Sequence, residues 1–262
     1  MKKTAFACVF FLFVCTNVQA LDFLGQPSAR VKIMNSLLGF GYMKSNIDIK
    51  TDDDMGDFAS AEFDIEDIDI DKYFFDLGAG GDDHTAFFFR IGAARAEPDT
   101  GDNESNFAGY IGDSDDALLL GGGVKVTLYD KDRLKWGVSA QFTKTEYDFK
   151  KSDFTLDGAD YVDFDAEATF YEIMISTGPT FVVNKYVSVY GGPFLHFIRG
   201  EIEASALKDT VPAYGETDIT EDSIPGGFVG VEFTLGDELS FAIEGQKTNS
   251  AAAVGGSLSF RF

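Results

Sequence analysis

From Ser36 to its last residue the chain alternates apolar side chains with polar or small ones, in stretches of about ten residues. A period of two sends successive side chains to opposite faces of a strand, and helical periodicity is nearly absent, so the chain must fold as sheet. The end of the chain is the plainest case. Val254, Leu258, Phe260 and Phe262 share one face with Gly256, while Gly255, Ser257, Ser259 and Arg261 occupy the other. The same alternation runs through Leu239, Phe241 and Ile243 opposite Ser240, Ala242 and Glu244, and through Val229, Val231 and Phe233 opposite Gly230 and Glu232. It recurs in Tyr171, Ile173 and Ile175 opposite Glu172, Met174 and Ser176, and in Leu134, Trp136, Val138, Ala140 and Phe142 opposite Lys135, Gly137, Ser139 and Gln141.

Earlier strands are expected at Ser36 to Thr51, Ala61 to Gly78 and His84 to Glu97. Phe63 and Ile65 stand on one parity and Ile68 and Ile70 on the other, which requires a bulge near Glu66 or Asp67 or the end of the membrane-embedded section there. Counted together the segments make about ten strands, or about eight if the early ones merge. Short connections are expected at Ala79 to Asp83, Asp130 to Asp132, Asn184-Lys185 and Gly236-Asp237. Long polar ones are expected at Asp52 to Ser60, Pro98 to Asp115, Lys150 to Phe164 and Ala204 to Ser223. A meander with short turns on one rim and long loops on the other is the layout of a transmembrane barrel.

Lys2 and Lys3, the apolar run Ala5 to Val14, and Val18-Gln19-Ala20 form a secretory leader with its cleavage site. Residues 1–20 are therefore expected to be removed, residues 21–35 to lie in the periplasm, and residues 36–262 to form the barrel. Cys8 and Cys15 fall in the leader, so the exported chain cannot depend on disulfides. The run Ala5 to Val14 is well short of the roughly 20 residues of a membrane-spanning helix. With 44 acidic against 21 basic residues, a nucleic-acid partner is excluded, since phosphate binding needs clustered Lys and Arg.

Strands can cross hydrocarbon only if the sheet closes on itself and pairs every backbone group. The apolar face is too continuous to be left in water, and the polar face carries Asp76, Arg90, Lys125, Glu172, Glu232, Glu244 and Arg261. Lipid outside and an enclosed charge network is the simplest arrangement: an all-β, antiparallel, up-and-down transmembrane barrel. Trp136, Tyr171, Phe181, Phe233, Phe260 and Phe262 stand on the apolar parity, as interfacial aromatic girdles do.

With Leu258, Phe260 and Phe262 alternating to the terminus, the chain resembles the small outer-membrane β-barrel proteins of Gram-negative bacteria, porin-like or OmpA-type. That resemblance covers nearly all of the mature chain as pattern, not identity. It implies an outer-membrane location, lipid and lipopolysaccharide as surroundings, and a monomer. It also makes the terminal Leu258, Phe260 and Phe262 a signal read by the barrel-assembly machinery.

A barrel this small is filled by its own side chains, so inward acids and bases should plug it, with Arg261 meeting Glu244, and Lys125 and Arg90 offsetting Asp76 and Glu172. The same charges could instead line a narrow passive pore. Enzyme chemistry is disfavoured. The omptins, outer-membrane proteases with a similar strand number, carry paired acids and a His at the external rim, whereas His84 falls at a periplasmic turn and His196 at lumen parity within a strand. A lipid-modifying enzyme needs a base beside a Ser, and Ser188 is too far along the strand from His196 to serve. Acid runs Asp52-Asp53-Asp54 and Asp113-Ser114-Asp115-Asp116 lack the spacing of an EF-hand and read as solvated loops. The glycines at 78 to 81 and 121 to 123 are followed by no helix, so they are no dinucleotide fingerprint. No cofactor, metal site or catalytic role is expected, and a structural or surface-interaction role leads. Deleting Phe262 should lower the amount of assembled barrel more than the amount of protein synthesised; membrane fractionation checks this, and equal membrane levels would contradict it.

Overall fold

Ten antiparallel strands close into a single barrel in the computed structural model, which describes residues 21–29, 36–50, 64–98, 114–156, 159–208, 211–236, 238–249 and 252–262. They are β1 (Ser36–Lys50), β2 (Asp64–Gly80), β3 (Thr85–Pro98), β4 (Ala117–Lys131), β5 (Leu134–Leu156), β6 (Ala159–Asn184), β7 (Val187–Lys208), β8 (Val211–Leu235), β9 (Leu239–Thr248) and β10 (Ala252–Arg261). Each pairs with its sequence neighbours, and β1 meets β10 through Leu37 to Ser45 opposite Arg261 to Ala253, which leaves no open edge. The expected bulge is present. Ile47 faces Ile68 while Ile49 faces Ile65, so β2 carries one extra residue at Glu66-Asp67.

The short turns stand where the sequence places them, and Asp132 and Gly236 take the positive φ values, 55° and 77°, that tight reversals demand. The opposite rim departs from expectation. Lys150 to Phe164 and Ala204 to Ser223 are not long loops: β5 and β6 stay paired as far as Leu156 opposite Ala159, and β7 and β8 as far as Lys208 opposite Val211. The loops expected at 52–60 and at 99–113 lie outside the described residues.

The physical reason is a reversal of side-chain phase along each long strand. On the turn side, β5 points Leu134, Trp136 and Phe142 outward, and β6 points Tyr171, Ile173, Ile175 and Phe181 outward, all substantially exposed. Farther along the same strands the outward positions become Asp148 and Lys150, Asp165 and Glu167, while Tyr147, Phe149, Phe164, Ala166, Ala168 and Phe170 turn inward and are buried. β7 does the same, with Leu195 outward, then Arg199 and Glu203 outward over an inward Ile198, Ile202 and Ala204. Charged side chains mark the switch. Lys44 faces Asp71, Asp71 faces Arg95, Arg95 pairs with Asp116 at 2.7 Å, Lys144 faces Tyr171, and Tyr171 faces Arg199.

Below this charged ring the outer wall is a continuous apolar belt, costly in water and suited to hydrocarbon. Above it the barrel is built like a soluble protein, with charges outside and a core made by Ile68, Leu119, Tyr147, Phe170, Ile198 and Ile219 among others. The expectation that the enclosed side is polar therefore fails above the ring and holds only in part below it, where Phe74, Tyr190, Phe194 and Phe228 also face inward and form a second apolar cluster with Phe23 and Leu24. Arginine placed at Ile173 should cost about 2–4 kcal/mol of stability in lipid vesicles, whereas arginine at Glu167, on the same face of β6 beyond the ring, should stay within about 0.5 kcal/mol. Denaturant titration in vesicles measures both; equal costs would contradict the reversal.

Candidate functional site

Residues 21–29, the described part of the segment expected at 21–35, lie against the inside of the barrel wall. Leu21 is 0% exposed and Leu24 1%, and Asp22, Phe23, Gln26 and Ser28 are also buried. Such a peptide has no sheet to satisfy its backbone, so the wall must do so. The Ala29 N–H donates to Thr127 Oγ1 at 2.9 Å and the Leu24 N–H to Glu244 Oε1 at 2.9 Å. Gln246 Nε2 donates to the Asp22 carbonyl at 2.8 Å, Arg90 to the Phe23 carbonyl at 3.2 Å, and Lys125 Nζ to the carbonyls of both Leu24 and Gln26.

Two glycines make the fit possible. Gly25 has a φ of 64°, which bends the segment so that Lys125 Nζ can bridge the carbonyls on either side, and a Cβ there would lie 3.1 Å from that nitrogen. Gly137 on β5 leaves the space through which Ser28 passes, since a Cβ would stand 2.5 Å from the Ser28 Cα.

The side chains of the plug complete the polar layer. Lys72 Nζ lies 3.0 Å from Asp22 Oδ1 and 2.6 Å from Glu172 Oε1, and it is fully buried. Thr143 donates to the other oxygen of Asp22. His196 Nε2 is 3.2 Å from Glu172 Oε2, and Gln26 Nε2 donates to Glu232 Oε2 at 2.8 Å. Arg90 holds Asp76 through two bonds of 2.7 and 2.9 Å and lies 4.0 Å over the Phe74 ring.

All seven charged residues singled out from the sequence face inward. Arg90 with Asp76 forms as expected. Glu172 meets Lys72 instead of Arg90 or Lys125, and Lys125, Glu232 and Glu244 grip the plug. Arg261 does not meet Glu244, because the register sets Glu244 opposite Gly255 and leaves Arg261 at the rim by Glu238. There it lines a vestibule of about 250 Å³ with Gln26, Ala29, Thr127 and Glu232. Lys72 and Asp22 were missed by the sequence reading. The signal for Lys72 was its parity, a lone cation between Ile70 and Phe74 on the face that turns inward.

The layer holds the peptide segment through backbone and side-chain contacts on every side. His196 sits between the apolar layer above and the plug below, and Ser188 pairs with the level of Glu232, well away from it. Outside, on the extension, Glu201 shares a hydrogen bond with Glu216, and this contact, with partial desolvation and the nearby Glu203 and Asp218, raises its carboxyl above the ordinary value. Leu258 and Phe260 face outward on β10, and Phe262 follows in the same phase.

The closed, all-antiparallel barrel with a lipid-facing belt is the architecture of Gram-negative outer-membrane barrels. The chain superimposes on the outer membrane protease OmpT from Escherichia coli with a TM-score of 0.50 and 10% identity, covering 87% of this chain and 96% of that one. It also matches the translocator domain of autotransporter NalP from Neisseria meningitidis (TM-score 0.48, 9% identity, 86% and 88% covered). A third match is the attachment invasion locus protein Ail of Yersinia pestis (0.36, 17%, 87% and 98%). No protein-family model and no curated protein matches the sequence.

Lys72→Met should strand Asp22 and Glu172 as unpaired buried carboxylates and cost about 3–5 kcal/mol, with much of the loss recovered when Asp22→Asn and Glu172→Gln are added. Denaturation midpoints in detergent micelles measure this; an unchanged midpoint for Lys72→Met would contradict the role given to the pair.

Proposed function

We propose that this protein is a monomeric outer-membrane barrel, closed to solutes, whose role is structural or interactive at the cell surface. The observation that carries the reading is double closure. The plug and its ion pairs fill the barrel below the charged ring, and a packed apolar layer from Ile68 to Ile219 fills it above. Water and ions do not cross a dry, close-packed apolar layer, and the segment below it occupies the space a channel would need.

What remains for interaction is the outer extension, where β5 to β8 rise beyond the belt and present Asp148, Asp165, Glu167, Glu203, Glu216 and Asp218 to solvent. The ring that includes Lys44, Arg95, Lys144, Arg199 and Lys247 stands at the level where lipid phosphates begin, which suits lipopolysaccharide as the surrounding lipid. The outward Leu258, Phe260 and Phe262 suit recognition by the barrel-assembly machinery. A non-catalytic role is part of the proposal, supported by the positions of the histidines: His84 at the β2–β3 turn and His196 sealed inside.

Purified barrel in planar bilayers should give no stable stepwise current at any voltage that the bilayer tolerates. Reproducible ion-selective steps would replace this reading with that of a small passive pore.

A further inference from the structure

The plug starts at the residue that the leader motif makes the first of the exported chain. Leu21 follows Val18-Gln19-Ala20 directly and is already fully buried. Order along the plug is also order of depth. Ala29 is held by Thr127 near the turns, Gln26 by Glu232, Leu24 by Glu244, and Asp22 by Lys72 and Thr143, so Leu21 comes deepest.

The polar layer around it carries more acid than base. Among the described residues of this layer, the carboxylates of Asp22, Asp76, Glu172, Glu232 and Glu244 outnumber the lysine and arginine cations of Lys72, Arg90 and Lys125. Some acceptors there lack donors. Gln246, whose Nε2 holds the Asp22 carbonyl, leaves Oε1 buried without a hydrogen-bond donor, and Gln141 Oε1 on the inward face of β5 is in the same condition. Buried acceptors without donors cost about 1–3 kcal/mol each, and an ammonium supplies three donors and one positive charge.

We propose that the α-ammonium left on Leu21 by removal of the leader is an internal part of the barrel, a cation that offsets the acids of the lumen. The proposal rests on the closed-barrel reading. Hydrolysis breaks the Ala20–Leu21 peptide bond. Water gives its hydroxyl to the Ala20 carbonyl and a proton to the departing nitrogen, which is protonated again to the ammonium, and a leader endopeptidase of the export route is the class of enzyme required. Once Leu21 is enclosed, that bond lies beyond the reach of such an enzyme.

The test is acetylation of the α-amine in the exported barrel, purified in detergent, followed by mass spectrometry of its N-terminal peptide, beside the same chain unfolded by heat. We expect the folded barrel to react at least about tenfold more slowly, since access requires local opening. Equal rates would overturn the proposal. Intact mass fixes the first residue: a chain beginning elsewhere than Leu21 would overturn it too, while leaving the electrically silent barrel standing. Inserting Gly-Ser between Ala20 and Leu21 displaces the amine, and we expect a lower temperature for loss of the folded band on gels and faster acetylation; an equally heat-resistant, equally protected extended chain would overturn the assignment. Should the extended chain fail to fold, the rate on the natural barrel decides alone.

Discussion

A closed sheet has one inside and one outside for its whole height, but its surroundings change from hydrocarbon to water along its axis. Backbone pairing is indifferent to that change, and side chains are not. Here the ladder runs unbroken from β5 Leu134 to Leu156 while the outward series passes from Leu134, Trp136 and Phe142 to Lys144, Glu146 and Asp148. Hydrophobic burial sets the direction of each half. Outward aliphatics are favourable only where lipid replaces water, and inward ones only where enough of them meet to exclude it. The charged ring is where the two solutions join.

Below the ring the inside mixes an apolar cluster around Phe74, Tyr190, Phe194 and Phe228 with charged and amide side chains, and the polar part of so narrow an interior needs partners. The N-terminal segment resolves this. It brings Asp22 to Lys72, amide donors to Glu232 and Glu244, and carbonyls to Arg90 and Lys125, which no residue of the wall could supply at those depths. The wall and its plug thus share one set of polar contacts, in which Lys72 joins the wall's Glu172 to the segment's Asp22. Residues 21–29 are therefore structural, unlike the loosely tethered segments common at the ends of folded domains.

The ten strands, their faces and the short turns were legible because each depends on a local period of two and on turn residues such as those at Gly236 and Asp132. Even the bulge at Glu66-Asp67 showed as a parity change. The hairpins of β5–β6 and β7–β8 were not, since apolar outward phase was taken as the mark of a strand. Tyr147, Phe149, Phe164 and Phe170 still alternate, but in the opposite phase, and among acids they read as loop. The plug escaped for a different reason. Leu21 to Ala29 carry no period at all, and their placement depends on contacts with residues from fifty to more than two hundred positions away. Arg261 was assigned to Glu244 because adjacent strands were known while their register was not.

A nitroxide scan along β6 tests the reversal most directly, with each label's collision rate measured against oxygen, which concentrates in lipid, and against a water-soluble nickel chelate. Labels at 171, 173 and 175 should favour oxygen, those at 165 and 167 nickel, and those at 166, 168 and 172 should be shielded from both. Oxygen preference persisting at 165 and 167, or nickel reaching 166 and 168, would contradict a sheet that turns itself inside out at the edge of the bilayer.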